Sequence, residues 1–362
     1  MGDEPIDLPL VDILAGAPGE MVTRVSPGVN HTCALFDNGN VRCWGNSFYY
    51  QLGLGTTSQN NLGDIPGELP TPPATLGGIA VDVQSGHDFS CALMATGGVR
   101  CWGQNHHGQT GHPGYAYLGD NETVASAGDV SLGAKALQIS VGGWHACALL
   151  LGGSVRCWGY NQYGRLGIVS TADLGDDEVP SSVPPVDIGG TAVQVAAGRY
   201  STCALLASGK VRCWGNNEYG QLGYQNTKDI GDNETPASAG DLKVLQPQET
   251  VLKVVLGGLH ACVLIAGGTV RCWGNGIDGA LGNGNEGYVG DAPGETAPLI
   301  ATGAEVRELV LGNFRTCVLV DGGAVRCWGT GGLGQHGTGF TADIGDAPGE
   351  MPPQDAILYA NP

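Results

Sequence analysis

A thirteen-residue unit, Cys33 to Gly45 (C-A-L-F-D-N-G-N-V-R-C-W-G), recurs six times in this 362-residue chain and limits what the chain can fold into. Further copies begin at Cys91, Cys147, Cys203, Cys262 and Cys317. The second cysteine of each copy, at Cys43, Cys101, Cys157, Cys213, Cys272 and Cys327, follows the first by ten residues, with Arg before it and Trp-Gly after it. All twelve cysteines belong to this pattern, and successive copies are 58, 56, 56, 59 and 55 residues apart. Self-similarity at such a period marks a repeat architecture.

The unit reads as a β-hairpin. A glycine stands six residues after each first cysteine, at Gly39, Gly97, Gly153, Gly209, Gly268 and Gly323. That suits a three-residue loop whose last residue takes positive φ, which glycine adopts at no steric cost. Counting outward from the turn pairs Leu35 with Val41, Ala34 with Arg42, and Cys33 with Cys43. Opposed cysteines in a non-hydrogen-bonded pair have Cα atoms about 4.5 Å apart, within disulfide range. Six bridges are therefore expected: Cys33–Cys43, Cys91–Cys101, Cys147–Cys157, Cys203–Cys213, Cys262–Cys272 and Cys317–Cys327. Zinc fits the ten-residue spacing poorly, because zinc cysteines usually sit two to four residues apart. Full pairing of cysteines points to an oxidising compartment, and hence to a secreted or cell-surface protein. The acidic N-terminus (Gly2-Asp3-Glu4-Pro5) has no basic and apolar leader, so a signal peptide is expected to be absent from this chain.

Ahead of each hairpin lies a seven-residue segment ending in Gly: Val22–Gly28, Ala80–Gly86, Ala136–Gly142, Ala192–Gly198, Val251–Gly257 and Val306–Gly312. Its V-x-V alternation marks a strand, A, which leads through a tight turn into strands B (C-A-L) and C (V-R-C-W). A weaker outer strand, D, is expected at Pro9–Leu14, Pro72–Leu76, Asp129–Leu132, Pro184–Ile188, Asp241–Leu245, Pro298–Ala301 and Gln354–Leu358. Leading proline suits an edge strand. Four-stranded antiparallel units repeated radially make a β-propeller. The expected fold is all-β: one propeller domain over residues 1–362, with six four-stranded blades centred on hairpins 33–43, 91–101, 147–157, 203–213, 262–272 and 317–327. A seven-bladed ring with an incomplete blade formed by the termini is the alternative.

Between C and D runs a loop that opens as W-G-x-N-x-x-G-Q-L-G, clearest from Trp214 to Gly223. It closes on Gly-Asp: Gly63-Asp64, Gly119-Asp120, Gly175-Asp176, Gly231-Asp232, Gly290-Asp291 and Gly345-Asp346, with Gly2-Asp3 as a seventh copy. Together with G-x-x-H-T-C-A-L (Gly28 to Leu35) and V-R-C-W-G, these motifs resemble the regulator of chromosome condensation repeat over nearly the whole chain. The resemblance implies a propeller, usually of seven blades, used as a recognition platform. The family's namesake is a nucleotide-exchange factor that binds chromatin, and its relatives include secreted bacterial inhibitors of β-lactamase. The cysteine pairs, acidity and repeat count of this chain set it apart from the namesake, and Tyr50 stands where the loop glycine is expected.

A formal net charge of −19, with six of only 16 basic side chains spent in V-R-C-W-G, leaves no basic stripe for nucleic acid. No apolar run reaches the roughly 20 residues of a membrane span. The two-residue A–B turns vary from copy to copy between fixed flanks. There Asn30, His87, Asp88, Trp144, Arg199, Tyr200, Leu259 and Phe314 are the candidate partner-binding residues. Aromatic and Arg side chains at exposed tips are what protein interfaces use as anchors. A ring would bring these tips to one rim together with the C–D loops.

His31, His145 and His260 share one repeat position, which suggests a structural hydrogen bond. His106, His107 and His112 with Asp120 form a possible metal cluster, read instead as a polar loop. The Gly-Asp carboxylates have oxygen chemistry that suits Ca²⁺, but no D-x-D-x-D-G loop accompanies them. Such an Asp more often caps a turn, or here pairs with the arginines of the repeat. No cofactor or metal site is expected, and no catalytic motif is present. The reading is a monomeric, non-enzymatic extracellular platform that binds a protein partner. A carbohydrate- or calcium-binding surface module is the alternative, and an enzyme or enzyme inhibitor with a site drawn from several blades comes third.

Overall fold

The computed structural model describes residues 19–357, so the expected Gly2-Asp3 copy, strand Pro9–Leu14 and the end of Gln354–Leu358 lie outside the described residues. Six antiparallel sheets follow one another along the chain, and each runs in the order A, B, C. The hairpins form in the expected register: Cys33 faces Cys43, Ala34 faces Arg42, and Leu35 faces Val41. The other described repeats match, down to Cys317 opposite Cys327. All six disulfides are closed, with Cα atoms 4.0–4.1 Å apart, and no described cysteine is free. The turn glycines take positive φ, from 71° at Gly268 to 86° at Gly97.

Strand A departs from simple alternation. A bulge between its first and third residues shifts the register in five repeats, as between Ala80 and Asp82. This places the two valines of the V-x-V motif in opposite settings: Val81 is 53% exposed and Val83 fully buried. The third residue reaches the neighbouring strand A. Arg24 pairs with Asp82, Lys253 with Glu308 at 2.7 Å, and the Gln138 amide holds both backbone groups of Val195.

Strand D is a correction. It is not a continuous fourth strand but a single point of backbone contact, such as Ala74 N–H to Val41 O (2.8 Å) or Val186 N–H to Val155 O (2.8 Å). Five sheets have three strands, and only the second gains a fourth, the two-residue Tyr117–Leu118 that pairs with Gly103 and Gln104. Proline lacks the N–H that a ladder needs, and side chains take over its role. Arg42 donates to Thr71 O (2.5 Å), and Arg326 donates to Asp355 Oδ1 (2.7 Å).

Contacts between repeats use three recurring parts. The buried indole of strand C donates to a carbonyl of the preceding C–D loop: Trp102 to Gln51, Trp158 to Gln109, Trp273 to Gln221 and Trp328 to Ala280, at 2.9–3.2 Å. Strand A valine or isoleucine packs against the preceding repeat, where Val83 shares a core cluster with Cys33, Leu35, Val41 and Cys43. The glycine that ends strand A lets adjacent turns touch. Val29 N–H donates to Gly86 O and His87 N–H to Gly143 O, at 3.2 and 2.9 Å. A Cβ on Gly86 would stand 2.6 Å from Gly142 O and 2.5 Å from the Phe89 ring.

Gly86→Ala is therefore expected to cost roughly 2–3 kcal/mol, as overpacking does. Gly209, whose added Cβ would meet nothing within 4 Å, should lose only about 1 kcal/mol on the same change, through its positive φ. Chemical denaturation of the two variants checks this, and equal losses would count against close approach as the reason for the first glycine.

The described residues group into two compact units. One runs to Ala197 and takes in Gly231–Thr235, and the other holds Gly198–Ile230 and continues from Pro236.

Candidate interaction face

In each sheet the strands alternate direction, so the A–B turns and the C–D loops leave from the same edge. In the first unit the expected residues His87, Asp88 and Trp144 come together. The His87 and Trp144 rings stack with centroids 4.7 Å apart and planes 20° from parallel. His87 Nδ1 lies 2.5 Å from Asp88 Oδ2, and Gln51 donates to the other Asp88 oxygen at 3.4 Å. Asp88 is only 6% exposed, so it fixes the imidazole and is not itself an open contact. Asn30 is exposed and stands beside Val29, which is also exposed.

In the second unit Arg199 lies over its neighbour Tyr200, 5.1 Å from the ring centroid. Its guanidinium donates to the Asn313 amide oxygen at 3.2 Å. It reaches from the fourth repeat to the sixth because the fifth places the buried Gly258 between them. Leu259 and Phe314 are half-buried. Tips of neighbouring repeats thus pack on one another and not only on their own C–D loops.

The shared histidines are structural. His260 Nε2 lies 3.0 Å from Thr316 Oγ1, which donates to Ala280 O at 3.1 Å. His31 Nε2 lies 2.7 Å from Ser90 Oγ. Burial lowers both imidazoles from the usual range near 6.5 to about 4. The Nδ1 atom of each is buried with no hydrogen-bond partner, so a second proton there would be left without an acceptor. His106, His107 and His112 do not converge. His107 bonds Asp173 at 2.8 Å, His106 lies against Tyr117, and His112 is mostly buried.

The Gly-Asp loops refine one expectation and correct another. Asp120 and Asp232 accept the N–H of the next residue, Asn121 and Asn233, at 2.7 and 2.9 Å, but a glutamate that follows takes two backbone N–H groups in other loops. Glu68 takes Gly63 and Ile65, Glu295 takes Gly290 and Ala292, and Glu350 takes Gly345 and Ala347, at 2.7–3.1 Å. Burial, and then the adjoining glutamate, push the carboxyls of Asp291 and Asp346 up. Nor do the repeat arginines pair with these aspartates. Their carboxylate partners are acids near the D segment: Glu20 for Arg42, Asp129 for Arg100, Asp241 for Arg212, Glu249 for Arg271 and Asp355 for Arg326. Arg156 has only carbonyls, those of Pro180 and Val183. Three Gly-Asp turns instead seat the loop of the preceding repeat: Gly55 N–H donates to Gly119 O, Ser170 N–H to Gly231 O and Gly284 N–H to Gly345 O. Asp176, Asp177 and Glu178 bring three carboxylates within 4.8 Å of one another.

One set of rings was not singled out from the sequence. Phe48, Tyr49, Tyr50, Tyr117 and His106, from the C–D loops of the first two repeats, form a contiguous aromatic cluster with centroids 4.8–6.0 Å apart. Tyr50, in the glycine's place, takes φ 61°. The substitution was legible as an exception; its ring partner 67 residues on was not.

The RCC1-like domain model matches residues 3–358. The chain belongs to the RCC1-like family. Its curated relatives include the human probable E3 ubiquitin-protein ligase HERC6, 31% identical over 274 residues. That match covers 74% of this chain and 25% of the ligase. The ultraviolet-B receptor UVR8 of Arabidopsis thaliana is 28% identical over 342 residues, covering 93% of this chain and 71% of the receptor. Among solved structures, human WBSCR16 aligns with a TM-score of 0.74 at 20% identity, covering 92% of this chain and 84% of that one. Yeast RCC1 (Prp20) bound to Kap60 aligns at 0.67 and 22% identity, covering 90% and 74%. With six sheets of three or four strands, the fold class of this RCC1-like chain is a six-bladed β-propeller. Among its described residues no helix is long and apolar enough to cross a membrane. The disulfides fit an oxidising setting.

Proposed function

We propose that this chain is an extracellular, non-enzymatic recognition module that holds a protein partner against its A–B turns and C–D loops. The observation that carries this reading is the division of labour within each repeat. Cysteines, tryptophans, arginines and the Gly-Asp turns all serve contacts within and between repeats. The two turn residues change from copy to copy between fixed flanks, and they supply Trp144, Arg199, Tyr200 and Phe314. Relatives with this fold support a binding role: yeast RCC1 is seen in complex with Kap60, and Prp20p is described by its binding to Gsp1p and histones. With every cysteine in a bridge and the shared histidines buried, the groups most often used for nucleophilic or acid–base chemistry are committed to structure.

Alanine variants of Trp144, Tyr200 and Phe314 test the assignment. Each should lower stability by about 1 kcal/mol, the Trp144 change through its His87 stack. Each that anchors a partner should weaken capture by about 2 kcal/mol or more. Variants that melt early yet capture normally would place the binding surface elsewhere.

A further inference from the structure

The aromatic cluster on the C–D loops of the first two repeats has a chemistry of its own, and from it we infer the class of partner: a basic protein segment whose arginine or lysine side chains lie on these rings. The inference rests on the reading of this edge as a binding face and adds what the partner must carry. Phe48 is 54% exposed, and Tyr49, Tyr50, Tyr117 and His106 continue the patch by direct ring contact. Aromatic faces carry negative potential and attract guanidinium and ammonium groups.

Charge around the patch points the same way. Between Arg42 and Lys135 the chain holds seven acidic side chains and one basic one, Arg100. That arginine is held by Asp129 and the Leu76 carbonyl, so it cannot neutralise the patch. The Gly119-Asp120 turn lies beside the Tyr50 carbonyl. The next loop shows what such rings accept: in the third repeat Arg165 sits over Tyr160 and Tyr163, at 4.8 and 5.9 Å. The first two loops have glutamine at that position, Gln51 and Gln109, and bring no cation of their own.

The test is calorimetric titration of the intact protein with a nine-arginine peptide at low ionic strength, with the uncharged nine-citrulline peptide as control. Replacing Tyr49 and Tyr117 together by leucine keeps the net charge and removes two ring faces, and should weaken arginine-peptide binding roughly tenfold. Replacing Tyr219 and Tyr288, the ring pair of the second unit, should change it less than twofold. Phe48→Leu, at an exposed position, serves as a second variant should the double change unfold the protein. Equal binding of citrulline, or undiminished binding by a folded ring variant, would mean a shape match or bulk attraction to an acidic protein, and either overturns the inference, as does no binding at all. Partner capture by the tip variants and arginine-peptide binding by the ring variants are separate measurements, so failure of the tip assignment and failure of this one read out separately.

Discussion

Reduced and held reduced, the chain is expected to lose its folded state at 37 °C, while the oxidised protein stays folded. Each bridge closes a loop of about ten residues, for which the chain-entropy estimate is roughly 2–3 kcal/mol. The hairpin already restrains the same residues, so a smaller value applies to each. Six bridges still sum to on the order of 10 kcal/mol, comparable to the roughly 5–15 kcal/mol by which whole domains are stable. The cysteines are almost all buried, so reduction of the native protein should be slow and should follow unfolding. Two measurements check this. Alkylation without reductant should add no mass, in keeping with twelve bridged sulfurs. Thermal melting with reductant should show the transition lowered by tens of degrees or absent. An unshifted transition after complete reduction would falsify a stabilising role for the bridges.

The second large effect is acid lability. His31 and His260 are neutral in the folded protein with pKa values of about 4, against about 6.5 when unfolded. Between those values the unfolded chain binds more protons, so stability falls as pH drops. Above about 6.5 the two histidines cost nothing. Through the window from 6.5 to 4 each withdraws up to about 3 kcal/mol, and below 4 the loss is complete. His145, fully buried and also lowered, acts in the same direction. Raised carboxyls such as Asp291 and Asp346 act in the opposite sense at the acidic end, so the comparison must isolate the imidazole. His260→Gln keeps a donor for Thr316 and removes the proton site. Its denaturation midpoint should fall less steeply from pH 7 to pH 4.5 than that of the wild type. Parallel curves would show that His260 does not titrate there.

What could be read from the sequence divides by distance along the chain. The B–C hairpin was legible to the residue, because its register is set by a turn and two cysteines within eleven positions. The shared histidine position was legible as structural, although its partners Ser90 and Thr316 lie 59 and 56 residues away. Strand D was over-read. Proline and a short apolar run looked like an edge strand, but arginine side chains hold the segment where a ladder would have. The bulge in strand A was hidden behind a V-x-V pattern that seemed to put both valines on one face. The arginine and Gly-Asp partners were mispaired although the true ones also repeat: Arg100–Asp129, Arg212–Asp241 and Arg326–Asp355 share a separation of 29 residues, and Gly63–Glu68, Gly290–Glu295 and Gly345–Glu350 one of five. The candidate tips were visible as variable positions, yet that His87 packs on Trp144, and Arg199 on Asn313, belongs to neighbours 57 and 114 residues apart.

The backbone contact between successive A–B turns has one more consequence. Val29 and His87 reach the next turn through main-chain N–H groups and glycine carbonyls, so the joint does not read the side chains it carries. An exposed slot residue such as Val29 can therefore be rewritten without retuning the frame beneath it, whereas Asp88, held by Gln51, and Gly258, packed on Asn313, belong to the frame.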